Sequence, residues 1–183
     1  MPVYIALLRG INIGPHKRIK MDALRTGCEG LKLDDVKTYV QSGNLVFRAA
    51  KQSPDALAMK IEAMIVDEFG FSAKVVVRTD GDMAAVVRNN PFRPATKFED
   101  NKLCVAFLSR EPAKALVEKL QAAPPGPEPF QVRGDNLYIY FANGFARTKL
   151  HTNFLEKALG VEATVRNWRT VTNLHAMAQE CGQ

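Results

Sequence analysis

The apolar residues of segment 1–80 change their spacing in a fixed order, and that order limits the fold more than any other feature of the chain. Val3–Arg9 is a short apolar run with β-branched and aromatic members, the pattern of a strand. Met21, Leu24, Cys28 and Leu31 then recur at helical spacing. Val36–Gln41 and Leu45–Ala49 are strand-like runs joined at Ser42-Gly43-Asn44, residues that suit a tight hairpin. Ser53-Pro54-Asp55 opens a helix with a hydroxyl cap, a proline and an early acid. Leu57, Ile61, Met64 and Ile65 form its apolar face, Gly70 stops it, and Ala73–Arg78 reads as another strand. Strand, helix, hairpin, helix, strand is the ferredoxin-like βαββαβ order. Alternating strand direction then puts the Gly10–Lys20 loop and the Ser42–Asn44 turn at the same end of the sheet.

The second half reads as a partial repetition. Asp82 is expected to cap a short helix carrying Met83, Val86 and Val87, which ends near Asn90-Pro91-Phe92. Leu103–Ser109 is a strongly apolar strand, and Pro112 to Ala123 is a helix. A stiff Pro124–Pro129 connector leads to a hairpin formed by Phe130–Arg133 and Leu137–Phe141. Thr152 to Leu159 is a helix closed by Gly160, and Thr164 is expected to cap a final helix reaching about Ala178. The fold class is therefore α+β: a ferredoxin-like N-terminal half, then a βαββα half with extra C-terminal helices. The expected subdomains are 1–80 and 81–183. The order fits a diverged duplication, though no residue-level repeat establishes one.

Composition narrows the class. The 183 residues have 46% hydrophobic content and 24% charge, ordinary for a soluble globular protein. No run approaches the length of a membrane span, and the N-terminus lacks the order of a secretion signal. The 3 cysteines are an odd number set far apart, which argues against a disulfide framework. A cytoplasmic location with no membrane partner is the expectation. The net charge is +6 and its distribution is uneven. No acid precedes Asp22, and none lies between Asp35 and Asp55, Asp135 and Glu156, or Glu162 and Glu180. A positive field over these windows would attract an anion.

Those windows hold the polar residues that a core does not need. Arg9, Asn12 and Lys20 belong to a loop that leads into a helix start, where free N–H groups hold anions. The segment is neither GxGxxG nor GxxxxGK[ST], so no phosphate-loop fingerprint is present. Gln41, Ser42 and Asn44 offer donors and acceptors beside it, although Ser and Asn also serve turns by themselves. Lys149, Arg166 and Asn167 come from the C-terminal windows. Arg166 suits either a bidentate hold on a carboxylate or phosphate, or a structural ion pair. Trp168 is expected in the core. Cys28 and Cys104 fall on inward-facing patterns, and His16, His151 and His175 lack metal-ligand spacing. The sequence thus calls for no metal and no cofactor, and it shows no catalytic residues.

LLRGIN-I-G, TYVQSGNLVF, the Asn90–Phe92 NPF, Asn143–Leu150, LEKALG at Leu155–Gly160 and ATVRNWRTV together resemble the bacterial domain of unknown function 1697 family along essentially the whole chain. The resemblance implies a compact α+β protein with a ferredoxin-like N-terminal part, and it supplies no catalytic residues. Pro15 stands where members often carry a second glycine. The functional expectation is a protein that binds a small anionic or nucleotide-like ligand at the end of the N-terminal sheet, Arg9, Asn12, Lys20, Gln41, Ser42 and Asn44 lining one surface. Lys149 or Arg166 is expected to reach the same surface. The alternatives are a nucleic-acid-binding module, although the RNP1 pattern is absent, and an interaction protein with no small ligand. Oligomeric state and any enzymatic step stay open.

Overall fold

A computed structural model describes residues 1–92, 99–145 and 148–182. It is an α+β protein with two four-stranded antiparallel sheets and, among the described residues, six α-helices. The chain divides into two compact units, Met1–Val87 together with Asn173–Gln183, and Arg88–Thr172. The expected division at 80/81 gave the helix after residue 80 and the whole C-terminal segment to the second half. The observed first unit includes both that helix, up to Val87, and the chain's last residues.

In the first unit, β1 (Val3–Leu8), α1 (Met21–Gly30), β2 (Asp34–Tyr39), β3 (Asn44–Arg48), α2 (Pro54–Phe69) and β4 (Val75–Thr79) follow one another. The sheet order is β2-β3-β1-β4. The apolar strand β1 is central and buried throughout, as its continuous hydrophobic run demands. Tyr4, Ala6 and Leu8 share one core with Leu24 and Cys28 of α1 and with Leu57, Ile61 and Ile65 of α2. The caps of α2 follow the sequence: Ser53 Oγ accepts from Ala56 N at 3.2 Å, and Gly70 takes the left-handed conformation at φ 74°. Helix α3 (Asp80–Arg88) starts differently from expectation. Thr79 Oγ1 accepts from Asp82 N at 3.1 Å, while Asp82 Oδ2 accepts from Thr79 N at 3.0 Å. Asp82 is the back-reaching partner of a capping box and Thr79 is its cap.

The second unit runs β5 (Leu103–Leu108), α4 (Lys114–Ala122), β6 (Phe130–Arg133), β7 (Asn136–Tyr140), α5 (Thr152–Leu159) and β8 (Ala163–Asn167), with sheet order β6-β7-β5-β8. The second half is therefore not a βαββα piece. Ala163–Asn167, expected to lead into a helix capped by Thr164, is a fourth strand paired with β5 from Cys104↔Asn167 to Leu108↔Ala163. One helix, α6 (Trp168–Cys181), follows it. Thr, Arg and Asn hide the strand's apolar alternation, yet Thr164 and Arg166 are both buried in it. The true cap of α6 is Asn167, whose Oδ1 accepts from Thr170 N at 2.8 Å. Trp168, 2% exposed, is a core residue as expected.

The two units repeat one another down to single hydrogen bonds. Leu8 N donates to Gly43 O and Arg9 N to Lys74 O, both at 2.8 Å. At the matching places Leu108 N donates to Asp135 O at 2.9 Å and Ser109 N to Glu162 O at 2.8 Å. Glu62 Oε1 accepts from Val75 N at 2.9 Å, and Glu156 Oε1 from Ala163 N at 3.0 Å. Each unit thus ties the start of its last strand to the helix before it.

Candidate functional site

The repeat provides an internal standard for the end of each sheet. In the second unit, β5 reaches α4 through 109–113 and the β6–β7 turn is Gly134–Asp135. In the first unit the same connections take 9–20 and 40–43, twelve residues against five and four against two. The shorter versions close the same topology, so the extra residues are not required by the fold.

The longer loop and turn are held together by one side chain. Asn12 Nδ2 donates to Gln41 O at 2.7 Å and to Ile19 O at 3.0 Å, while its Oδ1 accepts from Ile19 N at 2.9 Å. Asn12 itself sits at φ 57°, a conformation its short amide tolerates. Lys17, at φ 53°, ties the loop down again through Nζ to Ser72 O at 2.8 Å, and Arg18 Nε donates to Gly14 O at 3.3 Å. Below the turn, a Cβ on Gly43 would come within 2.7–2.8 Å of Ile11 Cδ1 and Leu8 Cβ, and the residue sits at φ 73°. Glycine is required there on both counts.

The expected residues separate by role. Asn44 is fully buried, and its Nδ2 donates to Tyr39 O at 2.8 Å and to Ser42 Oγ at 2.9 Å. It shapes the turn, as does its second-unit counterpart Asn136, which also opens its unit's third strand. Asn12 is a staple whose two amide hydrogens are both spent. Gln41, Ser42 and Lys20 are exposed, and Arg9 is half-buried at the same sheet end. Lys20, itself exposed, precedes α1 and gives it no side-chain cap, so its side chain leaves the first-turn N–H groups of that helix uncapped. Asp22 in that turn works against an anion, and it is partly offset by Arg25 Nη2 at 3.3 Å.

Lys149, Arg166 and Asn167 belong to the second unit. Lys149 is exposed. Arg166 is on strand β8 rather than in a helix turn, and its Nη1 donates to Thr164 Oγ1 at 2.7 Å and to Val165 O at 3.0 Å. Burial pushes its guanidinium down to about 10, still cationic at neutral pH. Asn167 is used as the α6 cap.

Two residues of this end went unnoticed in the sequence. Ile13 is 76% exposed at the loop tip, and Val40 is 50% exposed with φ 50°. An aliphatic residue inside a Gly/Asn/Pro loop was the available signal for Ile13. Nothing in the sequence marks the strain at Val40. Tyr39 is half-buried, and its hydroxyl accepts from Asn173 Nδ2. Among the described residues no three His, Cys, Asp or Glu side chains gather to hold a metal ion. Among the same residues no helix is long and apolar enough to cross a membrane. Burial pushes the Cys28 and Cys104 thiols up to about 12, with Glu68 and Glu29 adding to the effect at Cys28. Neither is a nucleophile at neutral pH.

The model of the family described as "Protein of unknown function (DUF1697)" matches residues 1–138. The chain belongs to that family. No curated protein matches the sequence. Among solved structures, a conserved bacterial protein from Streptococcus pneumoniae, SP0830, is similar in fold. It is 22% identical, the alignment covers 97% of this chain and 98% of that one, and the TM-score is 0.74. That likeness speaks for the fold alone. The match to the family model spans the whole first unit's sheet and its elaborated end, and it stops within β7 of the second.

Proposed function

We propose that this DUF1697 protein is a cytoplasmic binding protein whose first unit takes a small phosphate-bearing ligand at the loop-and-turn end of its sheet. The observation that carries the reading is the elaboration of that end relative to the second unit. Twelve-residue and four-residue connections, with φ positive at Asn12, Lys17 and Val40, cost conformational strain that the shorter connections avoid. On this reading both units are ferredoxin-like and only the first has been adapted for binding. Lys20, Gln41, Ser42, Arg9 and the open first turn of α1 supply the ligand contacts, a cation beside free N–H groups being suited to phosphate. Asn12 and Asn44 hold that surface in shape instead of touching the ligand. The reading needs neither a metal nor a cofactor, and it uses no residue of the second unit.

The test is a thermal-shift titration of the full chain with inorganic phosphate and nucleoside monophosphates. A ligand present at a hundred times its Kd adds about 2.7 kcal/mol to stability. Lys20→Ala should remove the shift without altering the melting temperature of the free protein. If no phosphate-bearing compound moves the transition, the reading is wrong.

A further inference from the structure

The two insertions of the first unit carry the same unusual pair of properties. Each adds an exposed aliphatic side chain, Ile13 in the loop and Val40 in the turn. Neither contains an acid, and the loop contributes Lys17, Arg18 and Lys20. The shorter second-unit connections hold Glu111 and Asp135 instead, and neither supplies one of the chain's exposed large hydrophobic residues. Asn12 donates to Gln41 O, so the neighbours of these two residues, Ile13 and Val40, emerge at one end. Val40 bears a double cost. A β-branched residue at φ 50° is strained, and half of it is left in water. Glycine or asparagine would relieve both.

We propose that this end docks on an anionic phospholipid bilayer, Ile13 and Val40 entering the headgroup boundary while Arg18 and Lys20 face lipid phosphates. The inference rests on the phosphate reading above and names the source of the phosphate. Two exposed aliphatic residues on connections that also carry exposed cations meet the two requirements of reversible membrane attachment, apolar insertion and electrostatic attraction. Nucleic acid fits less well, because bases stack on aromatic rings. The aromatic residue nearest the turn, Tyr39, is half-buried with its hydroxyl engaged by Asn173. That no helix among the described residues is long and apolar enough to cross a membrane bears on a different mode of attachment and leaves a surface contact open. The loop needs no folding step on docking, since Asn12 and Lys17 already fix its shape.

The full chain is sedimented with vesicles of phosphatidylcholine alone and of phosphatidylcholine mixed with phosphatidylglycerol, and the phosphate thermal shift is measured in parallel. The expected result is association with the mixed vesicles only, weakened by salt. The exposed double substitution Ile13→Ser, Val40→Asn should lower partitioning at least about tenfold, the loss of one inserted aliphatic side chain or more. The phosphate shift of that variant should persist. Lys20→Ala should weaken both signals. Wild-type protein that responds to phosphate but ignores the mixed vesicles overturns the docking and leaves the anion site standing. Equal sedimentation of wild type and double variant also overturns it. Vesicle association without any phosphate shift supports docking and removes the small-ligand reading. An RNA oligonucleotide bound without vesicle association, and equally by the double variant, assigns the cations to nucleic acid and overturns the proposal.

Discussion

Asn12 shows how little a residue type says until its partners are known. Its amide makes three hydrogen bonds across the loop and the turn. Replacing it by alanine leaves those carbonyls and an N–H unpaired at a half-buried place, at a cost of about 1–3 kcal/mol. Asn12→Ala is therefore expected to lower the urea midpoint as well as phosphate affinity, whereas Lys20→Ala affects affinity alone. Trp168 belongs to the opposite category. It is 2% exposed, and Trp168→Ala should cost about 3–5 kcal/mol as a large-to-small core change. An unchanged denaturation midpoint would show that it is not a packing residue. Polarity by itself could not single out the structural staples, because Asn12, Asn44 and Gln41 present the same amide chemistry. The hydrogen-bond partners sort them, and those partners lie up to 29 residues away.

At the scale of elements, strands and helices with regular apolar spacing were legible, and those whose buried positions are polar were not. Helix α2 has its serine cap, its proline and its glycine stop where the sequence puts them. Strand β8 was missed because Thr164 and Arg166 occupy its buried positions, and Thr164 mimics a helix cap. Its pairing with β5, more than fifty residues earlier, is what makes it a strand. The β2–β3 turn carries its own prediction. Val40→Gly removes the strain at φ 50°, of order 1–3 kcal/mol, against the entropic cost of glycine, about 0.5–1 kcal/mol. The melting temperature should stay level or rise, and a clear fall would mean that the valine side chain is a structural contact.

The whole molecule carries a pH signature. Burial raises the Cys28 and Cys104 thiols from 9.0 to about 12 in the folded chain. Between those values the unfolded chain has lost protons that the folded chain keeps. The stabilisation is complete below about pH 9 and is lost as pH rises towards 12, by at most about 1.4 kcal/mol per thiol for each pH unit. Denaturation midpoints should hold level up to about pH 9 and fall above it, and Cys28→Ala, Cys104→Ala should flatten the slope. The order strand, helix, hairpin, helix, strand, the central place of β1, the caps of α2 and the loop lying beside the turn were determined by the sequence itself. Apolar period and turn chemistry are local, and antiparallel alternation leaves few ways to join them. The second unit's completeness, the identity of the cap of α6, the division of labour among the polar residues and the strain at Val40 were decided by tertiary structure. Each depends on groups distant in sequence that satisfy one another's hydrogen bonds, and local composition does not encode which distant carbonyl an amide will meet.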